Sequence, residues 1–268
     1  MIWISASGLA GIIGQHRYVP QHEAFLELWV RHDPECAALL RAMGACTASS
    51  RKRKAASRIA REVQEVAQHT ADISSGSTVQ QRAASEASMV EAVARSASSP
   101  RTQRDAVAAL RSRAFVQRGV RDEATILDAH QDTAGEEIVE RNARTYELVL
   151  EPESHGIRGR VDGVTATHVI EAKRRMRRFF DGVPLYELIQ VHAYMAMTEK
   201  RTARVVQHFD GEQRQNEIEF DDEVWARIKR GSARVVTWLH ESIALEKTLK
   251  SERIEELLQR FPFLESES

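Results

Sequence analysis

The sequence predicts an α/β (α+β) chain, a small mixed sheet with helices on either side of it. Three observations carry this. Short stretches rich in β-branched and apolar residues fall between 146 and 173, punctuated by glycines. Helix-forming stretches precede them at 102–130 and follow them at 184–197 and 222–258. A chain of 268 residues, 42% of them hydrophobic, suits one large domain, or one domain with an insertion, built on a real core.

The first 40 residues read as a short glycine-punctuated helix, then a helix from about Gln21 to Val30 with Phe25, Leu28 and Trp29 toward the core. Composition then shifts. Half of residues 71–100 are Ala or Ser. Helices are expected at 52–68, where Ile59, Val63 and Val66 form a stripe, and at 86–96, with little there to fill a core. Residues 44–105 are therefore expected to be an inserted, partly mobile helical segment within a single domain spanning 1–268. After the helix at 102–130, strands are expected at 146–150, 157–163 and 167–173. A helix follows at 184–197, then a hairpin of 204–209 with 217–220, and a final helix over 222–258.

Two cysteines, Cys36 and Cys46, make neither a disulfide framework nor a four-thiolate metal site, so a reducing, intracellular compartment is expected. No run of about 18 apolar residues occurs, so no membrane span is expected. The apolar opening lacks a basic lead and reads as mature protein, not as a secretion signal. A net charge of -1 hides strong segregation. Residues 101–121 hold six arginines against Asp105, and 158–178 hold seven basic groups against Asp162 and Glu171. Residues 51–62 hold six basic groups against Glu62, whereas 123–153 hold nine acids against Arg141 and Arg144. Segregation of this kind creates local fields that a near-zero total does not report.

The chemistry concentrates in IRGRVDGVTATHVIEAKRR, residues 157–175. In a strand, Glu171 and Lys173 share a face, and pairing of 157–163 with 167–173 brings Asp162 toward Glu171. Two carboxylates with a backbone carbonyl near Ile170 are hard oxygen ligands suited to Mg²⁺ or Mn²⁺. Lys173 beside such a site can orient or deprotonate a water, because positive charge and burial both lower an ammonium pKa. Downstream, Gln190 and Tyr194 stand at i and i+4 on one helix face. Taken singly, each of these features is also what an ordinary strand, turn or amphipathic helix contains.

Together, Asp162, the Glu171-Ala-Lys173 triplet and the Gln190-x-x-x-Tyr194 helix resemble the PD-(D/E)XK nuclease superfamily. The branch they are most similar to is the lambda-exonuclease and YqaJ-type viral recombinase group of RecB-like nucleases. Ile4-Ser-Ala-Ser7 before a small glycine-rich helix resembles that group's opening motif, in which a serine contacts a DNA phosphate. Arg118-Gly119-x-x-x-Glu123 resembles its RG-x-x-x-E helix, whose acid completes the metal site. The resemblance covers 1–40 and 110–240. It departs from the pattern at Val161, where the superfamily name has proline, and in lacking the arginine expected upstream of the serines.

The resemblance implies a restriction-endonuclease-like core and a Mg²⁺-dependent DNA nuclease, a 5′→3′ exonuclease resecting duplex ends in recombination or repair. Asp162, Glu171 and Glu123, with the Ile170 carbonyl, would hold the metal; Glu140, in a second glycine-plus-acid stretch at 135–140, is the competing third acid. Lys173, Gln190 and Tyr194 would complete the catalytic set. Ser5, Ser7, Arg118, Arg121, Arg174, Arg175, Arg177 and Arg178 would grip DNA. Read from the residues themselves, Tyr186 and Phe179 or Phe180 are placed to stack on an unpaired base or wedge a duplex end, with core packing the alternative for at least one of them. Partners implied are linear DNA, a single-strand annealing protein and a ring of further copies. No iron–sulfur cluster is expected, since four cysteines are lacking, and no ATP, since no Walker A motif occurs. The alternatives are a catalytically silent DNA-binding accessory protein on the same fold, a structure-specific endonuclease, and a helical interaction protein whose Ala/Ser-rich insert is the functional part.

Overall fold

The structure is a computed structural model that describes residues 1–33, 48–76, 78–97, 99–151 and 154–248. Residues 34–47, with both cysteines and the start of the expected insertion, and 249–268, with the end of the expected last helix, lie outside the described residues. The architecture is the predicted mixture of helices and mixed sheet, with two sheets where one was expected.

The first sheet has the order β1-β4-β3, from Ile2–Ser5, His155–Arg160 and Thr145–Leu150. β1 runs parallel to β4 and β3 antiparallel to it. The opening residues were expected to be helical, but Ile2–Ser5 is a strand. Its alternation of buried Ile2 and Ile4 with half-buried Trp3 and Ser5 is a period of two, too short to stand out in sequence. Gly156 lies opposite Trp3, and a Cβ there would come within 2.4 Å of the indole, so only glycine fits.

The second sheet has the order β2-β5-β6-β7-β8, from Glu140–Arg141, Gly163–Val164, His168–Arg174, Thr202–Phe209 and Glu212–Glu219. β6 pairs antiparallel with β5 and parallel with β7, and β7 and β8 form the expected hairpin around Gly211. A turn of 3₁₀ helix, Ala6–Gly8, leads into α1 (Leu9–Ile12), and α2 spans Gln21–His32. These pack with α7 (Leu185–Thr198) and α8 (Asp222–Thr248) on the sheets, around Ile4, Phe25, Ile157, Val169, Met195, Val205 and Leu239.

The segment expected to hold little core has one of its own. α3 (Ala48–Glu62), α4 (Gln64–Ser75), α5 (Val79–Ser96) and the first half of α6 (Pro100–Ala134) enclose Ile59, Val66, Ile73, Met89, Val93 and Leu110. Alanines at 56, 92, 106 and 114 are buried among them, so the small residues bring helices close instead of leaving the segment loose. Caps define the ends: Thr78 and Gln81 make a capping box on α5, while Ser99 caps α6 with Pro100 in its first turn. α6 runs 35 residues before Gly135 ends it in the left-handed conformation. Residues 136–138 beyond it are not helical, so the second glycine-plus-acid helix does not exist.

Candidate active site

β5 and β6 pair through Gly163 opposite Ile170 and Val164 opposite Val169. The ladder stops at Asp162, and the Asp162 carboxylate takes over the next bond, accepting from the Ala172 N–H at 2.8 Å. This bond fixes the carboxylate beside the strand that carries Glu171 and Lys173. Ile170 and Ala172 face Ile126 and Leu127 of α6, so period-two geometry turns Glu171 and Lys173 to the other face.

There Lys173 Nζ donates to Glu171 Oε1 at 2.5 Å, and Gln190 Nε2 of α7 donates to the same oxygen at 3.0 Å. Gln190 also lies 2.8 Å from the Tyr194 hydroxyl, as the i, i+4 spacing predicts. Four residues read from sequence thus form one hydrogen-bonded group, and the fifth, Asp162, is tied beside it through the Ala172 N–H. Glu123 joins from α6, held by the Asn142 side-chain amide at 2.8 Å. Glu140 points elsewhere: it opens β2 and accepts from Tyr146 at 2.6 Å and pairs with Arg144. Glu123 is therefore the third acid near the group, and the alternative is set aside.

The electrostatics are those of crowded carboxylates. Burial raises the Asp162 carboxyl well above its usual range, and the Glu171 and Glu123 charges push the same way. Burial also raises Glu123, partly opposed by its bond from Asn142, with Glu171 adding to the rise. For Lys173, burial works downward, but the Glu171 and Glu187 charges and the Glu171 bond outweigh it, so its pKa is raised. The carboxylates around Lys173 thus outweigh its burial, whereas the lowering expected next to a metal depends on that ion's charge. Burial raises the Tyr194 phenol as well, with Glu171 next.

Glu171 Oε2 is buried without a hydrogen-bond partner, which is costly unless a positive group meets it. That orphan oxygen, in a group where three carboxylates repel one another, fits a divalent cation. Among the described residues, no three His, Cys, Asp or Glu side chains form a ready-made cage. An ion here would complete its shell with water and a backbone carbonyl, the habit of Mg²⁺. Ile170 sits in the ladder between Gly163 and Arg204, with its side chain fully buried.

The arginines divide. Arg177 and Arg178 are exposed, and Arg121 is 48% exposed beside Asp122. Arg118, expected to face phosphates, is buried: it donates to the Gly76 carbonyl at the α4–α5 turn and pairs with Asp122 at 3.4 Å. Arg174 turns inward to Asp122 and His208. Arg175 is buried too, its guanidinium spent on both oxygens of Glu187 (2.6 and 2.8 Å) and on Gln207 (2.7 Å). Three of the six arginines expected to grip DNA are therefore internal ties. They sit where α6, β6 and β7 converge, and sequence alone does not reveal such inward partners.

Ser5 and Ser7 line a cavity of about 170 Å³ beneath α1 and α2, with Arg31 and Glu27 at its edge. Arg31 supplies a basic group beside the serines, from α2 instead of from upstream. Asn142 was also missed. Its positive φ of 46° is a conformation asparagine tolerates, and the turn between β2 and β3 was the only local signal. His168 and His192 are structural: His192 binds the Leu188 carbonyl and accepts from the Asp221 N–H, while His168 lies against Glu136.

No protein-family model matches the chain, and no curated protein matches it. Among solved structures, the chain is similar to LHK-Exo in complex with dAMP, at 18% identity and a TM-score of 0.43, over 67% of this chain and 89% of that one. It is similar also to the alkaline exonuclease LHK-Exo from Laribacter hongkongensis, at 19% identity and a TM-score of 0.43, over 59% and 90%.

Proposed function

We propose that the protein is a metal-dependent DNA nuclease that hydrolyses phosphodiester bonds. The observation that carries this is the convergence of Lys173 and Gln190 on one oxygen of Glu171, whose other oxygen is buried and unmet, beside Asp162 and Glu123. Asp162, Glu171 and Glu123 are the residues that would hold Mg²⁺ or Mn²⁺ with a carbonyl of the Ile170 stretch. Bound there, the ion supplies positive charge to phosphate oxygens and acidifies water. Lys173, held against Glu171 and raised in pKa by the carboxylates around it, is placed to orient a water or a phosphate oxygen. Gln190 fixes the Glu171 carboxylate in plane, and Tyr194 fixes Gln190.

The finer reading is an exonuclease acting 5′→3′ from the ends of linear duplex, in recombination or repair. Its support is the family resemblance and the small cavity lined by Ser5, Ser7 and Arg31, donors suited to a terminal phosphate, with Glu27 the one acid among the described residues that line it. Arg177 and Arg178, exposed after β6, supply backbone contacts. A ring of copies and a single-strand annealing partner belong to the same reading.

The test is digestion of end-labelled linear duplex DNA with Mg²⁺ or Mn²⁺. Wild type is expected to release labelled nucleotides, and Lys173→Ala to lose roughly 100-fold or more of the rate. Equal rates in both would sink the proposal. DNA binding without any cleavage would favour a silent binding protein, a reading that the close Lys173–Glu171 pairing also accommodates.

A further inference from the structure

The loop between α1 and α2 and the approach to α7 bring three rings together. His16 and Tyr186 have centroids 4.8 Å apart, and Tyr18 meets each edge-on at 6.1 Å. Tyr18 is 67% exposed, although rings that serve a core are normally covered. His16 is held rigid: its Nδ1 accepts from the backbone N–H of both Tyr18 and Val19 at 3.1 Å. Burial lowers its pKa, so the ring is a neutral face. Beside the rings opens a groove of about 590 Å³ to which Arg17 and Arg178 contribute, with no carboxylate among its lining residues.

The groove is joined to the candidate active site by covalent geometry. Tyr186, Gln190 and Tyr194 stand at i, i+4 and i+8, one face of α7, so Tyr186 lies roughly 6 Å along the axis from Gln190. That step is comparable to one nucleotide of an extended strand. Phe180, which lines the groove, lies under the Arg175 guanidinium at 4.3 Å, and Arg175 is tied to Glu187, the neighbour of Tyr186. The groove therefore holds a fixed position relative to Lys173.

We infer that His16, Tyr18 and Tyr186 form a stacking platform for an unpaired nucleobase of single-stranded DNA, with Arg17 and Arg178 holding its phosphates. The inference deepens the nuclease reading and rests on it for DNA as the ligand. Faces of this kind take any base, because every base has a π-face, and the arginines add sequence-independent attraction. The groove favours a tailed or frayed end over a blunt one, since only an unpaired base offers both faces.

The experiment uses the full chain in EDTA, so that binding is read without cleavage. The probes are a duplex with a short single-stranded tail bearing 2-aminopurine, and the matching blunt duplex. Wild type is expected to bind the tailed probe more tightly and to quench its fluorescence. Tyr186→Leu and Tyr18→Leu are each expected to weaken tailed binding about tenfold and relieve quenching, with blunt binding little changed. Circular dichroism melts verify that both variants fold, and Tyr186→Trp is expected to restore quenching. Unchanged affinity and quenching in both leucine variants, or no quenching in wild type, overturns the platform. Quenching by a wild-type protein that never cleaves DNA with Mg²⁺ or Mn²⁺ upholds the platform while the nuclease reading fails. Cleavage by wild type with tailed binding indifferent to both tyrosines has the opposite meaning.

Discussion

Asn142 performs two tasks with one residue. Its backbone N–H donates to the Asp162 carbonyl at 3.0 Å, and its side chain holds Glu123. Loss of that side-chain bond removes an influence that keeps the Glu123 pKa down, so its pKa rises further. Asn142→Ala is therefore expected to move the acidic limb of a DNA-cleavage pH profile to higher pH. Asn142→Gly, which relieves the left-handed backbone, is expected to show the same limb with better stability, by about 1 kcal/mol. An unmoved acidic limb in both variants would exclude this role for Asn142. The five residues from Asp162 to Tyr194 were legible because strand and helix periods are local rules that hold before any tertiary contact forms. Asn142 and Arg31 were not, since they arrive from turns and helices distant in sequence. Arg118, Arg174 and Arg175 were misread for a related reason: charge shows a wish for a partner and not whether that partner is a phosphate or an internal acid.

Among the elements, β6 and α7 are tied by the buried Arg175–Glu187 pair, with Gln207 of β7 completing it. Removing one partner of such a pair strands the other. Glu187→Ala is expected to lower unfolding free energy by about 3 kcal/mol, and the paired change Arg175→Met with Glu187→Leu to recover most of it. Chemical denaturation of the three proteins checks this, and an undiminished midpoint in Glu187→Ala would show the tie to be idle. The bundle of α3 to α6 makes a second demand on stability. Leu110 is 1% exposed within it, and Leu110→Ala is expected to destabilise by about 3 kcal/mol. A cost near zero would restore the loosely packed segment that Ala and Ser content suggests. Composition misled here because alanine counts as poor core material, whereas helices that approach closely need it.

For the molecule as a whole, pH acts through buried imidazoles. Burial lowers the pKa of His130, His155, His168 and His192. A lowered folded value means stability that is present above the unfolded pKa, about 6.5, and lost as pH falls through it. The imidazoles are expected to lower the denaturation midpoint on acidification from about pH 7 to pH 5. The raised Asp162 and Glu123 carboxyls act the other way. His192→Gln is expected to remove part of the imidazole share. Midpoints measured across this range decide it; parallel slopes would remove His192 from the account. The segregated charge read from sequence also survives in altered form, since half of the arginines credited to an outer surface neutralise Asp122 and Glu187 inside.

α6 belongs to both halves of the protein. Leu110 and Ala114 serve the helical bundle, Ile126 and Leu127 lie beneath β6, and Glu123 stands between them. At 1.5 Å per residue its 35 residues make a shaft of roughly 50 Å. Arg118 pins the shaft to the bundle at Gly76, and Asp122, one turn on, pins it to Arg174 next to Lys173. Between the two pins lies Gly119, where a Cβ would meet nothing within 4 Å. Space does not call for glycine there, and glycine weakens a helix by about 1 kcal/mol. The shaft therefore has its softest joint one turn before Glu123, and a tilt of the bundle would be spent as a small displacement of that carboxylate.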